Sequence, residues 1–207
     1  MALTQEEWER WLNEEREKDY YKRILAQLRG VQKTQFISPD EDLIFKCLEI
    51  PDIRNVKVVI VGDMPPQDLQ NADGLALSCY DNAYADRAQR YFDFALQEFT
   101  GQKDVSNKQA WVDNGFMLIN YALTRDIHKH GSTHTFWHYF TRSIIKKLFE
   151  DSTPRAFIFC RDLGFEPDKR HMIAYINDLQ PYENIAIFNK VNLFLIKYYG
   201  KSVRWEV

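Results

Sequence analysis

The sequence predicts an α/β fold in which helices cover both faces of a central four-stranded parallel sheet. Four short runs are apolar on both faces, as strands of a parallel sheet covered by helices must be. Helical patterns lie between these runs, and this alternation is typical of a parallel α/β sheet. The predicted strands are VKVVIVG (56–62), GFMLINYALT (115–124), RAFIFC (155–160) and HMIAYI (171–176).

The helices are predicted from their ends and from helical spacing of apolar residues. Thr4 and Glu7 can form a capping box, and the helix that they open is predicted to run as far as Gly30. No repeat, low-complexity tract or linker interrupts the pattern, so one domain over residues 1–207 is expected. Later helices are predicted over 83–100, 135–150 and about 184–199.

Composition excludes several classes of protein. The net charge is −3 and the isoelectric point is near 6.0, so the whole molecule is not expected to attract nucleic acid. The first residues are charged, and no apolar run reaches the ~20 residues that cross a bilayer. Cys47, Cys79 and Cys160 are widely spaced and odd in number, which suits core residues in a reducing cytoplasm. We therefore expect a non-secreted protein, cytoplasmic or nucleoid-associated.

Any ligand site is expected where the strands end. In open parallel sheets, ligands bind outside the carboxyl ends of the strands. Four segments converge there in the predicted topology, namely residues 62–67, 120–124, 160–164 and 177–182.

Several motifs resemble those of the uracil-DNA glycosylase family (family 1), in the same order along nearly the whole chain. The segment VKVVIVG…ADGLALS is similar to the family's strand and loop KVVILGQDPYH…HGLAFS. WVDNGFMLINYALT resembles the family's WARQGVLLLNTVLT, and FWHYFTRSII and VRWEV are similar to its next helix and its tail. The resemblance implies a three-layer α/β/α fold.

The resemblance also implies that catalytic positions have changed. The family cleaves the bond between uracil and deoxyribose after the nucleotide has flipped out of the duplex. Its aspartate, tyrosine and first histidine fall on Met64, Pro66 and Gln67, its stacking phenylalanine on Leu77, and its late histidine on Asn177. Loss of one preorganised group typically costs about 100-fold or more in rate. The sequence therefore predicts a homologue without glycosylase activity and not an enzyme.

Part of a base pocket and one surface remain as candidates. Gly62, Asp63, Pro65 and Asn120 keep the shape of the family's base pocket, and Asn120 matches its base-reading asparagine. The loops that grip phosphate in the family carry acidic residues here, so we expect DNA binding to be weak. A surface for a partner or for DNA is predicted from Arg161, Asp178, Leu179, Gln180, Pro181 and Tyr182.

Three functions remain open. The first is an accessory subunit in DNA replication or repair that binds a protein such as a DNA polymerase, because poxviral members of the family also serve as processivity-factor subunits. The second is a glycosylase for another base that uses Asn120 with a substitute carboxylate such as Asp63. The third is a DNA-binding module without catalysis, which would bind in a salt-dependent manner.

No cofactor and no metal are expected. His134 and His138 are spaced i,i+4, as zinc ligands on a helix can be, and His128 and His130 lie close by in sequence. The spacing lacks the acidic residue of HExxH, so loop histidines are the preferred interpretation.

Overall fold

The computed structural model describes residues 2–128, 134–166, 168–177 and 180–206. Its main sheet has four parallel strands in the order β3-β2-β5-β6. They are β2 (Val58–Gly62), β3 (Phe116–Asn120), β5 (Ala156–Phe159) and β6 (Met172–Tyr175), which confirms the four predicted strands. A small antiparallel pair, β1 (Ile37–Ser38) and β4 (Arg125–Asp126), was not predicted because each strand has only two residues.

Six α-helices flank the sheet within the described residues. They are α1 (Gln5–Glu17), α2 (Asp19–Gln32), α3 (Arg87–Thr100), α4 (Gln109–Asp113), α5 (His138–Glu150) and α6 (Ile185–Tyr199). Thr4 caps α1 with the predicted capping box. The prediction of a single first helix was wrong, because Lys18 adopts an extended conformation (φ −66°, ψ 146°) and separates α1 from α2.

Aromatic packing holds the helices against the two faces of the sheet. On one side, α5 packs through Phe149 against Phe157 of β5, with ring centroids 4.1 Å apart. On the other face, Trp205 packs on Phe116 of β3 at 5.4 Å and on Phe188 of α6 at 4.8 Å. Phe92 of α3 packs in turn on Phe188 at 5.4 Å. These contacts give the predicted three-layer α/β/α fold. The buried apolar residues of the described chain form one cluster from Leu3 to Trp205, and a single domain over residues 1–207 stays a prediction.

None of the described helices is long and apolar enough to cross a membrane.

Candidate functional site at the carboxyl ends of the strands

The loops after β2 and β3 are joined by main-chain hydrogen bonds. The parallel register places Gly62 beside Asn120 at the last rung of the two strands. The Tyr121 amide donates to the Gly62 carbonyl at 2.8 Å, and the Ala122 amide donates to the Asp63 carbonyl at 2.9 Å. The ladder therefore continues one step beyond the strands and fixes the position of Asp63 relative to Asn120.

Asn120 presents an unused acceptor at this point. The side chain is 4% exposed, and its buried Oδ1 has no hydrogen-bond partner among the described residues. A Cβ atom on Gly62 would lie 2.4 Å from that Oδ1 and 3.0 Å from the Cβ of Ala76. Glycine is therefore required at residue 62 for the amide to occupy this position. Buried polar atoms without partners call for an explanation, and a ligand is one.

Asp63 is held by a cation from the neighbouring strand end. Its Oδ1 lies 2.6 Å from Nε of Arg161, which follows β5. Burial raises the pKa of Asp63 above its usual value, although the Arg161 charge opposes that rise and Asp86 adds to it. Arg161 is exposed, as a surface residue would be, but its guanidinium is paired with Asp63, and its predicted role in a partner or DNA surface stays a prediction.

An aromatic stack lies next to this ion pair. The ring of Tyr121 stacks on His138, the first residue of α5, with centroids 4.3 Å apart and planes 26° apart. The Arg161 guanidinium carbon lies 5.7 Å from the Tyr121 ring centroid. Nε2 of His138 is buried and lacks a hydrogen-bond partner within the described part of the chain. Burial has the largest effect on the pKa of His138 and lowers it. The Arg161 charge lowers it further, whereas the Asp63 charge raises it.

Sequence reasoning did not find this cluster. The sequence predicts Arg161 as a surface residue, and it predicts His138 only as a loop histidine or a zinc ligand. Tyr121 and His138 are 17 positions apart in the sequence, and no local pattern signals that they stack. The one available signal was topological, because residues 120–124 and 160–164 were both predicted to converge at this edge.

The remaining residues of the 62–67 loop are held by other parts of the fold. Pro65 and Pro66 are buried, and the Pro66 carbonyl accepts a 2.6 Å hydrogen bond from the Ser38 hydroxyl. Gln67 donates through Nε2 to the Ile127 carbonyl at 2.5 Å. Met64 is half-buried. These contacts fix the loop in place, and the role of Pro65 in a residual base pocket stays a prediction.

Leu77 and Asn177 occupy structured positions as well. Leu77 is buried in a left-handed conformation (φ 51°), which a branched side chain seldom adopts. Asn177 accepts at Oδ1 from the Gln180 amide at 3.0 Å and donates through Nδ2 to Glu183 at 2.7 Å. Neither residue reproduces the chemistry of the aromatic ring or imidazole that the resemblance places there.

Buried hydrogen bonds and one buried ion pair hold the ADGLALS segment (residues 72–78) in place. The Ser78 hydroxyl donates to Asp73 Oδ2 at 2.5 Å and accepts from the Lys108 amide at 2.9 Å. Nζ of Lys108 lies 2.6 Å from Asp93 Oδ1 in α3, and both side chains are almost fully buried. Burial raises the pKa of Asp93 to about 6, against the opposing charge of Lys108.

The described surface after β6 carries polar side chains, one exposed aromatic ring and one exposed carboxylate, that of Glu183. Gln180 is exposed and Pro181 is half-buried. Tyr182 is 68% exposed and meets the Phe94 ring edge-on at 4.8 Å. Asp178 and Leu179, which were predicted as part of this surface, lie outside the described residues.

The histidine segment offers no metal site in the described chain. No group of three His, Cys, Asp or Glu side chains that could hold a metal ion occurs within residues 2–128, 134–166, 168–177 and 180–206. Nδ1 of His134 lies 2.8 Å from the Thr124 hydroxyl, while His138 stacks on Tyr121. His130 lies outside the described residues.

The amino-acid sequence is similar to those of several known proteins. No family model matches the chain. A uracil-DNA glycosylase of Streptococcus agalactiae is 29% identical over 167 residues, covering 80% of this chain and 76% of that protein. One of Lactococcus lactis is 24% identical over 218 aligned positions, covering 99% and 100%. These likenesses support the uracil-DNA glycosylase family.

Solved structures agree on the architecture. The crystal structure of mimivirus uracil-DNA glycosylase superposes with a TM-score of 0.79 at 20% identity, covering 99% of this chain and 88% of that one. The fold is that of uracil-DNA glycosylase. The glycosylase of Nitratifractor salsuginis is similar at a TM-score of 0.52 and 14% identity.

These comparisons correct one expectation. The changes at Met64 and Asn177 led us to expect that the chain is not an enzyme. That prediction was wrong, because relatives at 24–29% identity over most of the chain are named uracil-DNA glycosylase and point to an enzyme. The catalytic groups must then be sought among the residues that the fold brings to the strand ends.

Proposed function

We propose that the chain is a DNA glycosylase that hydrolyses the bond between a nucleobase and deoxyribose. Asp63 supplies the carboxylate that stabilises positive charge on the sugar and orients the attacking water. The Asn120 amide reads the edge of the base with one acceptor and one donor. The observation that carries the proposal is the buried Oδ1 of Asn120, which has no hydrogen-bond partner among the described residues and lies beside the fixed position of Asp63.

Base selection is proposed to differ from that of the relatives. Pro66 and Leu77 stand where the resemblance places the family's tyrosine and phenylalanine. Without those two rings, a base is neither stacked nor sterically selected in the same way. Uracil, the base in the relatives' names, is the first to test, followed by thymine opposite guanine, hypoxanthine and 5-hydroxymethyluracil. A DNA substrate would place the protein in the cytoplasm or at the nucleoid.

The test is release of a base from oligonucleotides that carry each of these residues, followed by cleavage of the abasic site. We expect Asp63→Asn to lower the rate by about 100-fold or more, because it removes a preorganised charge. Asp68→Asn is the matched control, since that carboxylate caps the Asn71 amide in the same loop. Absence of excision from every substrate, with folded protein, would refute the proposal.

A second candidate is an accessory role in DNA replication or repair through a protein partner such as a DNA polymerase. It is compatible with catalysis. Three exposed side chains at the end of β6 and after it favour this role, namely Tyr175, Tyr182 and Glu183. Exposed tyrosines beside a carboxylate suit a protein partner better than they suit DNA.

This role is tested with the purified DNA polymerase of the source organism. Tyr182→Ala should weaken its binding at least tenfold in surface plasmon resonance. Tyr139→Ala is the control, because that ring is equally exposed but lies on α5. No binding by the unaltered protein counts against the role, and salt-dependent binding to DNA alone would favour a DNA-binding module instead.

A further inference from the structure

His138 has a buried ring nitrogen that makes no hydrogen bond within the described residues, as a catalytic group awaiting its substrate would. Buried polar atoms are nearly always hydrogen-bonded, and those that are not call for a ligand, water or functional explanation. Nε2 of His138 and Oδ1 of Asn120 are two such atoms in the described chain. Both belong to segments that contact the strand-end loops, since His138 stacks on Tyr121, the residue after Asn120.

The charges around His138 come from three packed elements. Asp63 follows β2, Arg161 follows β5, and both are near enough to act on the His138 pKa. Tyr121 follows β3 and contributes its ring face. The charge of Asp86 raises the pKa of Asp63. Burial and the Arg161 cation favour the neutral imidazole, which can carry its one proton on Nε2 and donate a hydrogen bond from that N–H while staying uncharged.

We propose that His138 is a catalytic residue that donates a hydrogen bond from Nε2 to the departing base, which rests on the proposed glycosylase function. The bond between the base nitrogen and C1′ breaks, and its electron pair leaves on the base. Nε2–H of His138 stabilises this negative charge. Water attacks C1′, Asp63 takes its proton, and that proton finally passes to the released base.

Arg161 has a positioning role in this arrangement. Its Nε–Oδ1 contact of 2.6 Å fixes the direction of the Asp63 carboxylate, and its position over the Tyr121 ring keeps it beside the stack. The imidazole of His138 thus takes the place of the histidine that the resemblance would put at Asn177. The two positions lie on different elements, at the start of α5 and after β6.

The competing explanation is that His138 only packs against Tyr121. His138→Phe separates the two, because it keeps an aromatic ring for stacking and removes Nε2. We expect it to lower kcat by about 100-fold or more, as loss of one preorganised donor does, with the thermal midpoint close to that of the unaltered protein. His138→Gln, which keeps a donor, should recover part of the rate. His128→Gln is the control, because that histidine is exposed and contacts Phe36.

A second measurement does not depend on turnover. Nitrogen NMR of the histidine rings is recorded while free uracil, and separately free hypoxanthine, is added to the unaltered protein. We expect the Nε2 resonance of His138 to shift with one of these bases and that of His128 to stay fixed. Arg161→Gln should leave the ring contact but lower kcat, with little change in KM.

The outcomes separate the two proposals. Excision by the unaltered protein with a fully active His138→Phe variant overturns the role of His138 and leaves the glycosylase function standing. No excision of any base overturns the glycosylase function, and the catalytic role of His138 with it. In that case a base-dependent shift of Nε2 would still identify a base-binding site, and the absence of a shift would exclude that as well.

Discussion

The buried ion pair between Lys108 and Asp93 allows a stability prediction that does not depend on function. Lys108→Met removes the cation and leaves the Asp93 carboxylate in a site where both side chains are almost fully buried. One carboxylate oxygen, Oδ2, already lacks a hydrogen-bond partner in the described chain, and the other, Oδ1, is the oxygen that contacts Lys108.

Removing one partner of a buried pair typically costs about 3–5 kcal/mol of unfolding free energy. For a chain of this length, each kcal/mol lowers the thermal midpoint by roughly 2–4 °C, so we expect a fall of about 6–20 °C. Replacing both residues, as Asp93→Leu with Lys108→Met, removes the uncompensated charge. The double variant should therefore recover to within about 2 kcal/mol of the unaltered protein.

The pH dependence of this loss has a definite sign. Burial raises the folded-state pKa of Asp93 to about 6, above its ordinary value of 3.8. Its stabilising contribution is thus fully present below about 3.8 and is lost as pH rises through 6. Without Lys108 the folded pKa rises further, and the carboxyl is protonated at pH 5. We expect the variant's loss relative to the unaltered protein to be larger at pH 8 than at pH 5.

Urea unfolding at both pH values measures these differences. Lys146→Met is the surface control, since its partner Glu150 lies 3.8 Å away and both side chains are exposed, so the change should stay within about 1 kcal/mol. A Lys108→Met variant as stable as the unaltered protein, or one equally destabilised at pH 5 and pH 8, would show that Lys108 does not compensate a buried Asp93 charge.

Three further predictions concern the site and a buried thiol. Gly62→Ala should displace the Asn120 amide, because the new Cβ would lie 2.4 Å from Oδ1; we expect loss of base excision with about 1–3 kcal/mol of destabilisation in a thermal melt. Gly30→Ala has nothing within 4 Å and should stabilise α2 by about 0.5–1 kcal/mol, and the reverse order of the two variants would contradict the argument. Excision should fall as pH drops through the pKa of Asp63, which burial raises, and an acid limb at or below 3.8 would be inconsistent with that site. Cys47, whose pKa is raised to about 12, should resist iodoacetamide at pH 8 until the protein is unfolded, and rapid native-state labelling would show that the thiol is accessible.

The layers of this protein, and the sheet edge that carries its candidate site, can be predicted from the amino-acid sequence. Runs such as residues 56–62 and 155–160 are apolar on both faces, and that pattern fits a strand covered by helices on both sides. Because parallel strands end at one edge, Asn120 and residues 62–67 could be placed together without coordinates. The resemblance added the family and the positions where residues had changed.

The side chains that surround those positions are known only from the three-dimensional fold. The contact of Asp63 with Arg161 joins residues 98 positions apart, and the stack of Tyr121 on His138 depends on where α5 begins. Such pairs leave no local signal, because side-chain partners across a sheet edge are set by register and loop geometry rather than by spacing. The sequence shows which catalytic positions of the family carry other residues here. The proposed replacement, His138, can be identified only from the fold, because it lies at the start of α5 and far from those positions in the sequence.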